Sequence, residues 1–343
     1  MKKLLLLAIV LLCIESSYAK IWRVNNNTGI SADFTTLQAA HDGATAGDTV
    51  YLESSANSYG GLNSTKRLAI IGTGYFLNQN TGLQAFSLPS KVDAINFNAG
   101  SSGSSIEGLS FNGSAVSINV SDIVIRRNHF ASFSGAIADY GVGIIYIYSS
   151  ASNIIISQNF AVIINNNSAS TGILITNNFI AFYSYYGDAT TGECLRLHDN
   201  TIAIIKNNIF RRGTVTASNS SLTNNIMYNG FLAGTGNLVS NNIGNATQFG
   251  TADGNQSNVD MATVFVATGS ADAFFKLKVG SPAIGAGYGS TIPNPIDAGM
   301  YGGTGSYVLS GIPAIPAIYF FANKPVGSNS DPIDVQIKVR SNN

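Results

Sequence analysis

The sequence predicts an all-β solenoid, a right-handed parallel β-helix, and three observations support that prediction. Short segments repeat one pattern, in which alternating apolar residues are followed by an Asn-rich pair and a further apolar residue. Hydrophobic residues make up 45% of the chain and charged residues only 10%, so it can bury a large core and lacks the charge runs of a disordered protein. Its 36 glycines and clustered asparagines suit a fold with many tight turns.

The repeat becomes visible when the segments are aligned on their asparagines, because stacked turns keep a local pattern at variable spacing. In each segment two apolar residues flank one outward residue, which predicts a short strand with one buried face. The aligned segments are residues 121–130, 152–160, 171–179, 201–210, 220–228 and 237–243. The predicted inward pairs are Ile123 with Ile125, Ile154 with Ile156, Ile173 with Ile175, and Ile202 with Ile204.

An asparagine follows each predicted strand at a corner of the coil. A tight corner needs a residue in the left-handed region, which Asn tolerates better than most residues other than Gly. Stacked corners place the amides above one another, so a ladder of hydrogen bonds can satisfy groups that would otherwise be buried unpaired. The predicted corner residues are Asn128, Asn159, Asn178, Asn208, Asn225 and Asn242. The residues expected to return to the core after them are Phe130, Phe160, Phe179, Phe210 and Met227.

The first 19 residues predict a secretory signal. Lys2 and Lys3 precede an apolar run over residues 4–14, and a small-residue motif ends at Ala19. The run has about eleven residues, whereas a membrane-spanning helix needs about 20. We therefore expect cleavage near Ala19 and a secreted protein that resides outside the cell, on its surface or in the periplasm.

Cysteine usage and charge limit the partners. Cys13 leaves a lipoprotein signal as an alternative, although Leu12 stands where such signals favour a small residue. Cleavage would leave Cys194 as the sole cysteine, so no internal disulfide is expected. The 18 basic and 18 acidic residues give a net charge of zero, which provides no reason to expect nucleic acid or an anionic membrane as partner. We expect a monomer with no membrane span, no cofactor and no bound metal.

Two flanking segments, together with the repeats, resemble the secreted bacterial pectin-lyase-like right-handed parallel β-helix proteins. Residues 33–52 contain a capping-box pattern over 35–38 and resemble the helix and strand that open many such solenoids. Residues 275–303 resemble the closing segment of bacterial members, with SPAI at 281–284 and DAG at 297–299. The resemblance spans about residues 30–307. It implies the fold but no particular activity, because that superfamily includes lyases, hydrolases, esterases, epimerases and proteins without known catalysis.

The predicted organisation therefore has three parts. Residues 1–19 form the signal peptide, residues 20–310 the β-helix with an N-terminal capping helix, and residues 311–343 a short C-terminal β appendage. Prolines interrupt two apolar runs in that appendage, which favours a hairpin-like structure. It would cap the last rung of the coil. Attachment to a surface or to an export apparatus is the alternative.

The candidate site lies on the outward face of the strands that precede the corner asparagines. Alternation predicts two outward columns on this face, and the two longest insertions, residues 131–143 and 180–192, enter it. The first predicted column is Ser117, Tyr146, Ile163, Arg196 and Thr216. The second is Asn119, Tyr148, Asn165, His198 and Ser218.

These residues suggest chemistry on a polysaccharide. β-Elimination on an acidic glycan needs a group that neutralises a carboxylate, a base and an acid, which we assign to Arg196, His198 and Tyr146. Aromatic rings suit the apolar faces of sugars, and amides or carboxylates can fix hydroxyl groups. The predicted substrate-binding residues are Tyr148, Asn165, Asp139, Tyr140, Tyr185, Tyr186 and Asp188. The resemblance also implies this face, because family members commonly carry catalytic residues there.

A non-catalytic module that binds a glycan or a surface accounts for the same patch, so the sequence leaves catalysis and binding open. Arg196 is also explained by stacking on Tyr146 in the adjacent rung. No row of acidic residues at rung spacing indicates a calcium site, and no carboxylate pair indicates a hydrolase. Cys194 is expected to point outward and Glu193 to lie at a strand edge. His41 and the segment Arg126 to His129 are expected at the surface.

Overall fold

The structure, a computed structural model, describes residues 19–111, 113, 115–130, 143–182, 192–324 and 332–342. Over these residues the chain is a parallel β-helix in which short strands stack in three columns, so the predicted fold class is confirmed. The first column forms one parallel sheet. Its strands are, in order, β1 (Ile21–Val24), β2 (Thr49–Leu52), β4 (Ala69–Ile71), β7 (Ser105–Glu107), β10 (Val124–Arg126), β13 (Ile154–Ser157), β15 (Ile173–Thr176), β18 (Ala203–Lys206), β21 (Ser221–Thr223) and β24 (Leu238–Ser240).

The other two columns merge into one sheet, because the seven-residue strand β14 (Phe160–Asn166) belongs to both. The remaining strands of the second column are β5 (Ser90–Val92), β8 (Leu109–Phe111), β11 (His129–Phe130), β16 (Phe179–Ala181), β19 (Ile209–Arg211), β22 (Ile226–Tyr228) and β25 (Ile243–Gly244). Those of the third are β3 (Leu62–Ser64), β6 (Ile95–Phe97), β9 (Val116–Ile118), β12 (Gly143–Ile147), β17 (Glu193–Arg196), β20 (Thr214–Thr216) and β23 (Phe231–Ala233).

Aliphatic side chains from all three columns fill the coil. Of the inward pairs predicted for the first column, those in β10, β13 and β15, including Ile123 just before β10, are buried. The prediction for β18 was wrong, because Ile202 and Ile204 are 61% and 51% exposed while Ala203 and Ile205 are buried. Ile205 lies opposite Ile175 in the parallel ladder. The inward residue at this level of each strand lies three positions before a corner asparagine. The prediction placed β18 one residue out of register, which assigned all of its side chains to the wrong face.

The predicted amide ladder is confirmed at one corner of the coil. The corner asparagines are fully buried, and each Nδ2 donates to the Oδ1 of the next asparagine at 2.9–3.2 Å. The ladder runs from Asn128 to Asn242 and ends on Asn255. The predicted left-handed position was wrong by one residue. The residue before each ladder asparagine has the positive φ, at Arg127, Gln158, Asn177, Asn207, Asn224 and Asn241.

A returning segment, residues 283–312, covers the outer side of the second column and is called the strap below. Phe160 and Phe179 were expected in the core of the coil, but they point out of it and pack with the strap residue Tyr307 and with Phe275. The second column is therefore apolar on both faces. The family-like segment 275–303 does not simply close the last rung, because it runs back along the coil.

The strap is tied to the coil by the left-handed residues, whose side chains point outward. Each of them bonds to the backbone of the strap, so the left-handed residue and the ladder asparagine that follows it have separate structural roles. The contacts, from the last rung to the first, are Asn241 Nδ2 to Ala286 O, Asn224 Oδ1 from Tyr288 N, Asn207 Nδ2 to Asp297 O, Asn177 Nδ2 to Met300 O, Gln158 Nε2 to Gly305 O, and Arg127 Nη1 to Ile312 O.

The basic segment before His129 was expected to be a solvated surface, and most of it is covered. Arg127 is 9% exposed and donates to Gln158 Oε1 at 2.6 Å and to Glu107 Oε1 at 3.1 Å. Arg126 pairs with the other oxygen of Glu107 at 2.6 Å. Because the strap lies over these groups, the charges stabilise its attachment instead of keeping the surface soluble.

His129 lies among aromatic rings at the same place. Its ring centroid is 4.7 Å from that of Phe76 and 5.1 Å from that of Tyr75, and its Nδ1 is 3.4 Å from Ser110 Oγ. Burial lowers the pKa of His129 to about 4, from an ordinary value of 6.5. The neutral imidazole is therefore the form that the folded protein favours.

This environment predicts a pH-dependent stability. The unfolded chain binds the His129 proton more readily than the folded chain, so the free energy of unfolding should fall as the pH drops from 6.5 towards 4. Urea denaturation at pH 7.5, 5.5 and 4.5 measures the change. The variant His129→Phe keeps an aromatic ring and should show a flatter dependence. An equal slope in wild type and His129→Phe would contradict the assignment.

The N-terminal helix, α1 (Leu37–Gly43), packs on β1, β2 and β3, with Leu37 in the core. The capping box was wrong in detail, because Thr36 is the N-cap and Gln38 accepts a hydrogen bond from Asn63 N instead. His41 was expected at the surface and is buried, where its Nε2 accepts from Thr65 N at 3.0 Å. The helix is thus fixed to the first rungs by both apolar and polar contacts.

The remaining elements follow the coil. A one-turn helix, α2 (Met261–Val264), and a 3-10 turn at Ala273–Phe275 lead to the strap, and another 3-10 turn lies at Leu309–Gly311. The predicted C-terminal hairpin is confirmed as β26 (Ala317–Asn323) paired antiparallel with β27 (Val335–Arg340). Because the strap carries the chain back, the hairpin contacts residues 83–85 and not the last rung, where a cap was predicted.

Candidate functional site

The outer side of the third column is called the third-column face. Its first row consists of side chains in direct register, none of which is buried. These residues are Asn63, Asn96, Ser117, Tyr146, Asn165, Arg196 and Thr216. Four of the five residues predicted for this row are confirmed. Asn165 occupies the position that was predicted for Ile163.

The error at Asn165 is one of register and not of face. Val162 and Ile164 are buried as predicted, so the alternation along β14 was correct. The prediction aligned Ile145 with Val162, whereas the ladder pairs Ile145 with Ile164. Ile163 consequently lies opposite Ile144, two residues before Asn165.

A second row of outward side chains lies two residues after the first row on each strand of the third column. Tyr148 and His198 occupy it as predicted, while Asn167 takes the place that was expected for Asn165. At its N-terminal end Asn119 Nδ2 donates to Asn98 Oδ1 at 3.2 Å. The third-column face therefore presents amides, tyrosines and one arginine in two parallel rows.

The aromatic part of the face is a tyrosine pair. The rings of Tyr146 and Tyr148 are stacked with centroids 5.6 Å apart and planes 18° apart, and both side chains are half-buried. The predicted stacking of Arg196 on Tyr146 in an adjacent rung does not fit the register, because Asn165 lies between them. The pair offers an apolar surface with two hydroxyl groups.

The guanidinium of Arg196 is held by neighbouring side chains. Its Nε donates to Asn165 Oδ1 at 3.1 Å, and its Nη2 donates to Asn167 Oδ1 at 2.6 Å. Glu193 Oε2 lies 3.5 Å from Nε, and each of the two charged side chains is 43% exposed. The arginine therefore connects both rows and has a carboxylate beside it.

Sequence reasoning missed Glu193 as a member of the face. The register shifts between Glu193 and Leu195, so Glu193 points outward and its Oε1 accepts from Thr216 Oγ1 at 2.8 Å. The same shift buries Cys194, which was expected outward. Burial raises the pKa of the Cys194 thiol to about 12, and the thiol donates to Thr214 O. Cys194 is thus a structural residue.

His198 is engaged by the backbone at the end of its strand. Its Nδ1 accepts a hydrogen bond from Asn200 N at 3.2 Å, which places the proton of the neutral ring on Nε2. Its own backbone N–H donates to the buried amide of Asn166 at 3.1 Å, which also accepts from Thr201 Oγ1. The lone pair that a general base would use is therefore already occupied in this arrangement.

Five predicted site residues fall outside the described ranges. They are Asp139, Tyr140, Tyr185, Tyr186 and Asp188, and their positions stay predictions. Among the residues that the structure describes, no group of three or more His, Cys, Asp or Glu side chains is arranged to hold a metal ion. Within the same part of the chain, no helix is both long enough and apolar enough to cross a membrane.

No protein family, curated protein or solved structure gives a significant match to this chain.

Proposed function

We propose that this chain is a secreted protein that binds an extracellular polysaccharide along the third-column face. The observation that carries the proposal is the tyrosine pair Tyr146 and Tyr148 placed in register with Asn165, Asn167 and Arg196. Neighbouring strands are about 4.8 Å apart, so the rows offer contact points at a regular interval along the coil. A repeating polymer is the ligand class that can use such a repeat.

The side chains suit sugars. Tyrosine rings cover the apolar face of a sugar ring, and their hydroxyl groups bond to the rim. Amides donate and accept at once, which matches hydroxyl groups that do the same. The signal-like residues 1–19 add support, because an extracellular polysaccharide is accessible only to an exported protein.

Catalysis by β-elimination receives less support from the geometry. His198 Nδ1 already accepts a backbone hydrogen bond, and Arg196 already donates to two amides and lies beside Glu193. An ultraviolet assay for unsaturated products tests this second candidate on acidic polysaccharides. Activity that Arg196→Ala and His198→Ala both abolish would replace the binding proposal with a lyase.

The test of binding is removal of the tyrosine pair. Affinity electrophoresis through gels that contain soluble polysaccharides identifies a ligand for the wild-type chain. The double variant Tyr146→Ala with Tyr148→Ala should then bind about five- to 150-fold more weakly, because each lost ring contact contributes about 0.5–1.5 kcal/mol.

A matched control comes from a tyrosine on the strap. Tyr288 is 70% exposed, and it is its backbone N–H that donates to Asn224 of the coil. Tyr288→Ala should therefore keep wild-type affinity. Unchanged binding in the double tyrosine variant, with an unchanged denaturation midpoint, would place the binding surface elsewhere and contradict the proposal.

A further inference from the structure

We infer that the ligand of the third-column face is a neutral, hydroxyl-rich glycan and not an acidic one, an inference that rests on the proposed function. The inference depends on how Arg196 is used. A receptor for a carboxylate keeps a guanidinium edge available for paired hydrogen bonds. Here the Nε–Nη2 edge donates to Asn165 and Asn167 within the protein, so this edge is already engaged.

These two hydrogen bonds orient the amides. Arg196 donates to the Oδ1 of both asparagines, so each amide turns its oxygen towards the guanidinium and its NH₂ group away from it. The face thereby presents two amide donors on the rung that lies between Arg196 and the tyrosine pair. Arg196 is a positioning residue in this arrangement, and neutral hydroxyl oxygens are suitable acceptors for the amides.

The charge around Arg196 also favours a neutral ligand. Glu193 lies 3.5 Å from Arg196 and offsets its positive charge. In the two rows described above, Arg196 is the only lysine or arginine. A polyanion is normally bound by several basic side chains whose potentials add.

The sequence of the neighbouring insertions adds no basic residue. Residues 131–142 and 183–191 contain Asp139 and Asp188 but neither lysine nor arginine. Their positions lie outside the described ranges, so the statement concerns composition alone. In composition, therefore, these segments supply no cation that could pair with a polyuronate.

The experiment compares two ligand panels on the full chain. The neutral panel is mixed-linkage β-glucan, xylan, galactomannan and galactan, and the acidic panel is polygalacturonate, alginate and hyaluronan, at matched chain length. Binding is measured by calorimetry at low and at high salt. We expect a neutral polymer to bind at least tenfold more tightly than any acidic one, with less than a twofold change between the two salt concentrations.

Variants separate the role of Arg196 from a charge effect. Arg196→Gln should weaken binding of the neutral ligand about three- to tenfold by releasing both amides, and the weakening should be equal at both salt concentrations. Arg23→Gln, which removes an exposed arginine paired with Glu53 elsewhere, is the matched control and should have no effect.

The outcomes distinguish the two proposals. Tighter, salt-sensitive binding of an acidic polymer that Arg196→Gln abolishes would overturn the inference and leave polysaccharide binding in place. Absence of binding to both panels would overturn the proposed function together with the inference. The comparison of wild-type affinities needs no variant, so it stays decisive even if Arg196→Gln fails to fold.

Discussion

Replacing Asn178 with alanine should lower the free energy of unfolding by about 4 kcal/mol, because several buried groups would lose their partners at once. The Asn178 amide donates to Ile156 O, Thr176 O and Asn208 Oδ1, and its oxygen accepts from the backbone and side chain of Asn159. The site is fully buried, so water cannot replace these bonds without opening the corner.

Guanidinium denaturation of the wild type and the variant measures this change. The matched control is Asn63→Ala, since Asn63 is exposed on a strand and its loss should cost less than about 0.5 kcal/mol. Similar denaturation midpoints for Asn178→Ala and Asn63→Ala would show that the ladder does not stabilise the coil as described.

Replacing Asp272 with alanine should release the strap, with a loss of about 3–5 kcal/mol. The Asp272 carboxylate is fully buried and accepts from Ser310 N at 2.6 Å, from Ser270 Oγ at 2.7 Å and from Asn80 Nδ2 at 3.1 Å. It also accepts from Tyr307, whose hydroxyl is 2.7 Å from that of Tyr75. One carboxylate therefore joins the strap to the loop that follows β4.

Hydrogen exchange distinguishes release of the strap from weakening of the whole protein. In Asp272→Ala the amides of Ala298 and Tyr307 should exchange faster, while those of the inner strands should change less. The exposed Asp334→Ala is the control and should leave exchange unchanged. Uniform acceleration over strap and coil would contradict a separate strap.

The sequence was sufficient for the fold because the repeated asparagines mark each rung. Ile125, Ile156 and Ile175 each lie three residues before a ladder asparagine and are buried. The same three-residue spacing identifies Ile205 as the buried residue of β18, whereas alternation counted from Ile202 did not. A buried amide can serve the ladder only from one register, so the asparagine specifies a strand more strictly than apolar alternation does.

The strap was beyond sequence reasoning for a physical reason. Phe160 and Phe179 come directly after a ladder asparagine, whereas Phe130 comes two residues after one, so alternation places them on opposite faces of the second column. What the sequence does not reveal is that the outward face is covered, because the covering segment lies more than 100 positions later. Apolar character indicates burial but does not identify the partner.

At the candidate site the sequence predicted Tyr146, Tyr148 and Arg196 on one face, and the structure places them there. It did not predict Glu193 as a member of the face, because the register shifts beside Cys194. It placed Asn165 two residues out of register, because alternation fixes the face of a strand but not which residue lies opposite its neighbour. Both positions determine which groups surround Arg196.

The contacts between coil and strap also constrain how this protein can change in length. Arg127, Gln158, Asn177, Asn207, Asn224 and Asn241 are each matched to their own point on the returning segment. An internal duplication of one turn would leave one anchor without a counterpart and expose another stretch of apolar surface on the second column. Growth of this solenoid by repeat duplication therefore requires a simultaneous insertion far away in the chain.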